Sequence, residues 1–449
     1  MWRVDWHLYD VGGLIMAAYV SWGRYPYQSQ QGIDLQWLSD ALPTSEVFLP
    51  QGNARSYGDS CMNQGGPVLS TRFLRRFLDF NPKTGVIRCE AGVQLADILA
   101  VAEPQGWFLP VTPGTKFATV AGSVANDVHG KNHHLEGTFG CHVLQFELLR
   151  SDGERLRCSP NENQSWYNAT IGGLGLTGLI TWVELQLKKV PSSAINIETI
   201  KYGTLNEFFR LSSESEKDFE YTVAWIDCLA SGSSLGRGHF IRGNHAKVTQ
   251  PKPARSERQL SVPLAPPISP VNGATVKAFN WLYYHRQRTQ NKFDTVHYDP
   301  FFYPLDAINH WNLMYGPKGF LQYQCVIPVE NSEAATREML ERIAAAKSGS
   351  FLVVLKMFGD VPSPGMLSFP RPGATLALDF PYQGNKTMRL FDELDRVVVQ
   401  AGGAIYPAKD AHMKGEHFKL FYPKWEEFLQ FKDPKISSSF WRRVMDENT

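Results

Sequence analysis

GFLQYQCVIPVENSEAATREMLERIAAAKSGSFLVVLKMFG occupies residues 319–359 and reads as a strand (Phe320 to Ile327), a helix (Ser332 to Ala346) and a second strand (Phe351 to Phe358). The same order returns over residues 375–406, TLALDFPYQGNKTMRLFDELDRVVVQAGGAIY, as a strand from Thr375 to Phe380, a helix from Met388 to Ala401 and a strand from Ala404 to Tyr406. Two such units side by side predict an antiparallel sheet covered by helices on one face, an α+β layer rather than a doubly wound one. Gln322 and Gln324, two apart on the first strand, face the same side of that sheet. Two glutamines on a buried face need partners, which a bound polyol or structural hydrogen bonds would supply.

Upstream, residues 47–190 alternate β-rich runs with Gly/Pro punctuation, the pattern of a sheet-based region with a few helices. Hairpins are expected around Asn81-Pro82-Lys83-Thr84-Gly85 and Ser151-Asp152-Gly153-Glu154. Between them Val93, Leu95, Ile98, Leu99 and Ala102 recur at helical spacing, and Gly106 stops that helix. The run Leu179 to Leu187 reads as a strand, as do Tyr221 to Ala230 and Gly238 to Arg242. A proline-rich loop at 250–270 precedes Phe279, Trp281, Leu282, Tyr283 and Tyr284, with His285, Arg286 and Arg288 close by. Aromatics beside cations suit a bilayer edge or a greasy ligand mouth; an ordinary amphipathic helix packing on the sheet is the favoured explanation.

A chain of 449 residues is long enough for two cores. Hydrophobic residues at 43%, charged residues at 20% and a net charge of +1 describe an ordinary globular protein without the basic excess that nucleic-acid binding requires. Six cysteines are scattered without a C-x-x-C pair, which indicates free thiols rather than zinc or a disulfide framework. The apolar stretch Val11 to Val20 is about half the length of a spanning helix. Asp5 and Asp10 stand where a signal peptide would be basic, so an irregular extension or packed helix over residues 1–20 and a cytoplasmic chain are expected.

Three glycine-bearing segments carry the chemistry. In PQGNARSYGD (Pro50 to Asp59) a strand runs into a turn where backbone N–H groups can approach an anion, and Arg55 adds a charge suited to pyrophosphate. In PGTKFATVAGSVANDVHGKNHH (Pro113 to His134) Thr119 can cap a short helix kept thin by Ala121, Gly122, Ser123 and Ala125, a second candidate anion site, and His129, Lys131, His133 and His134 crowd its sequel. His129 and His133 lack an adjacent acidic third ligand, so no metal is expected. GGLGLTG (Gly172 to Gly178) satisfies G-x-G-x-x-G formally, but a helix precedes it and a strand follows. That order reverses the dinucleotide fingerprint and disfavours nicotinamide.

In their order and spacing these three segments resemble the vanillyl-alcohol-oxidase/PCMH-type FAD-binding oxidoreductases. More narrowly, SWGRYP (21–26), GFLQYQCVIP, VLKMFG, LDFP and AIYPAKD are similar to segments of the decaprenylphosphoryl-β-D-ribose 2′-oxidase family, the flavin subunits of polyprenyl-phosphoryl-ribose epimerases. The resemblance implies an N-terminal extension (1–20), a PCMH-type FAD-binding domain (21–192), a substrate domain (193–405) and a C-terminal segment (406–449) returning to the FAD domain. It implies that Gly52, Asn53, Ala54, Arg55, Ser56, Tyr57, Gly58 and Asp59 wrap the FAD pyrophosphate. Gly114, Thr115, Thr119, Val120, Ala121 and Gly122 would line the flavin, Asn126, Asp127, Val128 and His129 would lie near its ring, and Ile180 and Tyr406 would complete the pocket. The histidine by which related enzymes often attach flavin covalently is absent from the Tyr57-Gly58-Asp59 turn, so FAD should be noncovalent. Ala377 and Thr375 depart from the family's cysteine and asparagine.

The implied activity is oxidation of a secondary alcohol of a sugar to a ketone, with the 2′-hydroxyl of a polyprenyl-phosphoryl pentose foremost, as the first half of an epimerisation. FAD takes the electrons, and a base must take the hydroxyl proton. Lys409 is the leading candidate, with His129 beside the flavin; Lys131, Gln322, Gln324 and Lys356 are candidates for sugar or phosphate contacts. A short-chain reductase is the implied partner, and residues 250–288 are the candidate peripheral contact with the inner face of a membrane. A soluble aldonolactone or alditol oxidase using oxygen, and a non-catalytic flavin-binding scaffold of a cell-envelope complex, stay open beside this reading.

Overall fold

A computed structural model describes residues 19–28, 30–247 and 260–446, with residues 8–11 and 14–17 as backbone. The start of the proline-rich loop, up to residue 259, lies outside the described residues. Leu8–Val11 and Leu14–Ala17 pair as an antiparallel hairpin where the sequence suggested an irregular extension or a helix. Short apolar runs do not distinguish strand from helix by periodicity, which accounts for the difference. No helix among the described residues is long and apolar enough to cross a membrane.

The doubled unit forms one end of an eight-stranded antiparallel sheet. Its order is Asn291–His297, Ala194–Tyr202, Gly238–His245, Tyr221–Ile226, Val353–Phe358, Gly373–Pro381, Phe320–Ile327 and Ala404–Ile405. The helices Leu205–Ser215, Ser332–Ala345 and Asn385–Gln400 pack against it. The pleat decides which side they take. Leu321, Tyr323, Cys325 and Ile327, with Val353, Leu355, Leu376, Leu378 and Phe380, share a dry core with Met339, Leu340, Leu390, Leu394 and Val397 of two of these helices. The alternate phase sends Gln322, Gln324, Lys356, Thr375 and Asp379 to the other face, where Gln322 stands opposite Asp379 and Lys356 opposite Thr375.

That polar face meets the N-terminal half. There a five-stranded antiparallel sheet runs Arg155–Cys158, Val143–Leu149, Leu179–Gln186, Val86–Glu90, Phe77–Asn81, and a small parallel sheet joins Gly32–Asp34, Val68–Ser70 and Leu49–Gln51. Both expected hairpins close between adjacent strands, and the expected helix is Leu95–Ala102, followed by one 3₁₀ turn that ends at Gly106 in the left-handed region (φ 76°).

The last residues return to the chain's beginning. Phe48 N–H donates to the Lys435 carbonyl at 3.0 Å and the Ser437 N–H to the Phe48 carbonyl at 3.1 Å. Arg443 bridges Asp59 at 2.8 Å and Asp410 at 2.9 Å, two carboxylates that are themselves buried. Arg443→Leu leaves both of them unpaired in a low-dielectric contact, so the unfolding free energy should fall by about 3 kcal/mol or more in a urea titration. A loss below about 1 kcal/mol would mean that solvent already compensates them.

Candidate active site

Residues of both halves line one cavity of about 910 Å³, within the range of roughly 300–1,000 Å³ usual for cofactor and ligand sites. Its first wall is the turn that follows Leu49–Gln51. At Gly52 a Cβ would stand 2.3 Å from Thr119 Oγ1 and would force that side chain to shift. Arg55 lies between the rings of Trp22 (4.2 Å) and Phe117 (5.4 Å), and its Nε is buried without a hydrogen-bond partner. Burial pushes the guanidinium down to about 10, because the charged form has lost water and gained no carboxylate in contact. A buried cation of this kind asks for an anion from outside the chain.

The second wall is the segment from Thr112 to Lys131. Thr119 caps the short helix Val120–Ala125 by accepting the Gly122 N–H at 3.2 Å, so its hydroxyl already uses one of the free N–H groups. Asn126 Nδ2 donates to the Gly122 carbonyl at 2.8 Å, and the Tyr406 hydroxyl donates to the Asn126 carbonyl at 2.8 Å. Ala121, Val128, Leu174, Leu179 and Ile180 give this side an apolar surface on which a planar ring could lie. The GGLGLTG turn supplies Leu174, Gly175 and Gly178 to the same cavity, with helix Gln164–Thr170 before it and strand Leu179–Gln186 after it.

The third wall is the polar face of the eight-stranded sheet, joined to the second by His129. Lys356 Nζ donates to the Gly130 carbonyl at 2.6 Å and meets His129 Nδ1 at 2.9 Å; Gln324 Nε2 meets His129 Nε2 at 3.0 Å and donates to Thr375 Oγ1 at 3.3 Å. Burial and then the Lys356 charge hold His129 well below its ordinary value. Both ring nitrogens thus meet groups of the protein. Lys131 donates to the Phe302 carbonyl at 3.2 Å, and desolvation alone lowers it to about 8. Lys409 stands 3.7 Å from the centre of the Tyr57 ring and is lowered to about 8 by burial, with Asp379 acting in the opposite sense.

The cavity therefore brings together Gly52 to Tyr57, Gly114, Thr115, Thr119, Ala121, Gly122, Asn126, Val128, His129, Ile180, Tyr406, Lys131, Gln322, Gln324, Lys356 and Lys409. Four expected contacts do not line it. A Cβ on Gly58 would fall 1.6 Å from the Asp410 carbonyl oxygen, so that glycine admits the returning chain. Asp59 is paired with Arg443. Val120 is fully buried in the core beside the five-stranded sheet. Asp127 is fully buried, accepting from the Gly140 N–H at 2.8 Å and from Ser363 (2.5 Å) and Ser368 (2.6 Å). These four hold the walls in place.

Several lining residues were not anticipated: Trp22, Arg24, Asp379 and the segment from Phe302 to Leu313. Asp379 shares the strand phase of Thr375 and Ala377, and that periodicity could have found it. The Phe302 to Leu313 segment carries no such signal. Tertiary contacts bring it in: Asp306 accepts the Lys116 N–H at 2.8 Å, Tyr303 and Thr112 hydroxyls meet at 2.7 Å, and Asn312 Nδ2 donates to the Trp22 carbonyl at 3.0 Å.

Comparison with known proteins fits this arrangement. An FAD binding domain family matches residues 38–159. Decaprenylphosphoryl-β-D-ribose oxidase of Mycolicibacterium smegmatis is 34% identical over 88% of this chain and 88% of its own. The chain belongs to the decaprenylphosphoryl-β-D-ribose oxidase family. An uncharacterised protein of Streptomyces coelicolor is 31% identical over 76% of this chain and 96% of its own length, and D-lactate dehydrogenase of Anaerostipes hadrus is 31% identical over 32% of this chain and 31% of its own. This oxidase family member is an FAD-dependent oxidoreductase acting on CH–OH groups. The Arg55 Nε without a hydrogen-bond partner, the close Gly52–Thr119 approach and the apolar surface around Ile180 fit that cofactor.

The His129 clamp is testable by proton NMR of the imidazole. Removing the Lys356 charge in Lys356→Met should raise the midpoint of His129, because a neighbouring cation disfavours the imidazolium. An unchanged midpoint would show that desolvation alone sets it.

Proposed function

We propose that this enzyme oxidises a secondary hydroxyl of a polyprenyl-phosphoryl pentose, at the 2′ position, to the ketone, as the first half of an epimerisation. What carries the reading is the meeting of two kinds of surface in one cavity: a glycine-turn and apolar half suited to FAD, and a sheet face presenting amides and amines. When bound, FAD accepts the carbinol hydrogen with its electron pair. Everything else falls to side chains of this chain.

In this reading the cofactor is held noncovalently. The turn from Gly52 to Tyr57 with Arg55 takes its pyrophosphate, Gly114, Thr115, Thr119, Ala121 and Gly122 flank the flavin, and Asn126, Val128, His129, Ile180 and Tyr406 lie about its ring. Gln322 and Gln324 receive sugar hydroxyls, whose several donors and acceptors match an amide. Lys131 and Lys356 receive the phosphate. Both are amines whose charge is disfavoured by burial, and an arriving anion restores it. Lys409 takes the hydroxyl proton; an amine near 8 is neutral in a useful fraction of molecules around neutrality and still binds the proton it receives.

The same reading divides the chain into an FAD-binding domain (21–192), a substrate domain (193–405) and a returning segment (406–449). It also places the molecule on a membrane surface. Trp281 and Leu282 are more than half exposed on the helix Gly273–His285, as are Leu264 and Ile268 before it, and Arg286 and Arg288 follow. The ketone product would pass to a reductase partner that completes the epimerisation.

Acid precipitation of the purified protein should release all of its yellow colour as FAD. Anaerobic addition of a polyprenyl-phosphoryl ribose should bleach the bound flavin, and free pentoses should not; bleaching by free sugars with peroxide release would replace this reading with that of a soluble sugar oxidase. Arg55→Leu should weaken FAD binding about tenfold or more in a fluorescence titration, as expected for losing a charge-assisted contact of ~1.5–3 kcal/mol. Co-sedimentation with anionic vesicles should fall for Trp281→Ser with Leu282→Ser; equal sedimentation of variant and parent would remove the membrane contact.

A further inference from the structure

Two carboxylates line the cavity, Asp306 and Asp379. Asp306 is engaged at the FAD side through the Lys116 N–H. Asp379 projects from the strand Gly373–Pro381 and is 1% exposed, and Gln322 Nε2 donates to its Oδ1 at 2.6 Å. Among the described residues no cation lies within ion-pair distance of it. A buried carboxylate held by neutral donors alone is costly, and such groups persist where a charge nearby needs them. That charge is Lys409, on the same cavity, seated on the Tyr57 ring.

We infer that Asp379 is a positioning residue, whose buried carboxylate acts across the cavity on the Lys409 amine seated over the Tyr57 ring, the place where the substrate's hydroxyl proton is received. This inference rests on the proposed alcohol oxidation. In that step the O–H bond breaks and its proton passes to the neutral Lys409 amine, giving the ammonium, while the carbinol hydrogen leaves with its electron pair to the oxidised cofactor. Asp379 does not itself take the proton from substrate. It steadies the ammonium that results and sets the pH at which the amine is free.

The electrostatics agree in sign. Burial lowers Lys409 and Asp379 raises it, leaving the amine at about 8; burial raises Asp379, with Gln322, Lys409 and Tyr315 opposing, to about 7. The other titratable groups turned toward Lys409 are Tyr57 beneath it and His129 across the cavity, both neutral near pH 7: Tyr57 is raised well above its ordinary value and His129 well below. Asp379 is therefore the charge that raises Lys409 against the larger effect of burial.

The test is Asp379→Asn in the FAD-loaded enzyme, with two readouts. One is the pH midpoint of Lys409 acylation by acetic anhydride, read by mass spectrometry. The other is the acid limb of the rate of anaerobic flavin reduction by polyprenyl-phosphoryl ribose. Without the carboxylate both midpoints should move to lower pH by about one unit, a tenfold change in proton affinity, and Asp379→Glu should restore them. An unmoved acylation midpoint overturns the inference, as does loss of flavin reduction at every pH with that midpoint unmoved. Should Asp379→Asn fail to fold, Gln322→Met removes a donor that favours ionised Asp379, and the midpoint should move the same way. If the parent's flavin is not reduced by the substrate, the proposed function fails, while the acylation midpoint still reports on Asp379 and Lys409.

Discussion

Side chains leave a β-strand alternately to its two faces, and the active-site region depends on that constraint in three neighbouring strands. In Phe320–Ile327, Val353–Phe358 and Gly373–Pro381 one phase is committed to the helices Ser332–Ala345 and Asn385–Gln400 and is almost wholly apolar. Because that phase is anchored by burial, the other phase has no freedom of register. A slip of one residue would send Leu376, Leu378 and Phe380 into the cavity and Thr375 and Asp379 into the core. Gln322, Gln324, Lys356 and Asp379 therefore stand where they do because of hydrophobic packing on the far side of the sheet.

A second consequence follows from gathering cations where water is scarce. Arg55, Lys131, Lys356 and Lys409 all have their charged forms disfavoured by burial. Their protein contacts are carbonyl oxygens, a neutral imidazole and aromatic rings. This arrangement is held at a cost to the folded state and becomes favourable when anions enter, as the phosphates of a dinucleotide and of a phosphoryl-linked sugar would.

The walls are kept apart and aligned by contacts that never reach the cavity. Gly58 lets the Asp410 carbonyl pass, Arg443 ties Asp59 to Asp410, and the Phe48 strand hydrogen-bonds the Lys435–Ser437 stretch. Tyr57 and Lys409 meet because their two segments are fastened next to each other here, the Tyr57 N–H donating to the Ala408 carbonyl at 3.0 Å.

Local pattern alone determined much of this protein. The doubled strand-helix-strand periodicity set the α+β layer, glycine and proline punctuation placed both hairpins and the end of Leu95–Ala102, and the reversed helix-turn-strand order around Gly172 to Gly178 removed the nicotinamide reading. Glycine turns with Arg55, Thr119 and His129 marked segments that line the cavity, because tight backbone approach and anion binding draw on few residue types. Tertiary structure alone decided the rest. That Gly58, Asp59, Val120 and Asp127 support the walls while their neighbours line the cavity depends on which way each side chain turns once the C-terminal segment and the Ser363–Ser368 stretch pack on them. That Phe302 to Leu313 closes one side depends on hydrogen bonds to Trp22, Thr112 and Lys116, residues roughly 190 to 290 positions away in the chain. Periodicity reports the surroundings of a residue averaged over its own strand or helix; contacts between segments distant in the chain leave no period to read.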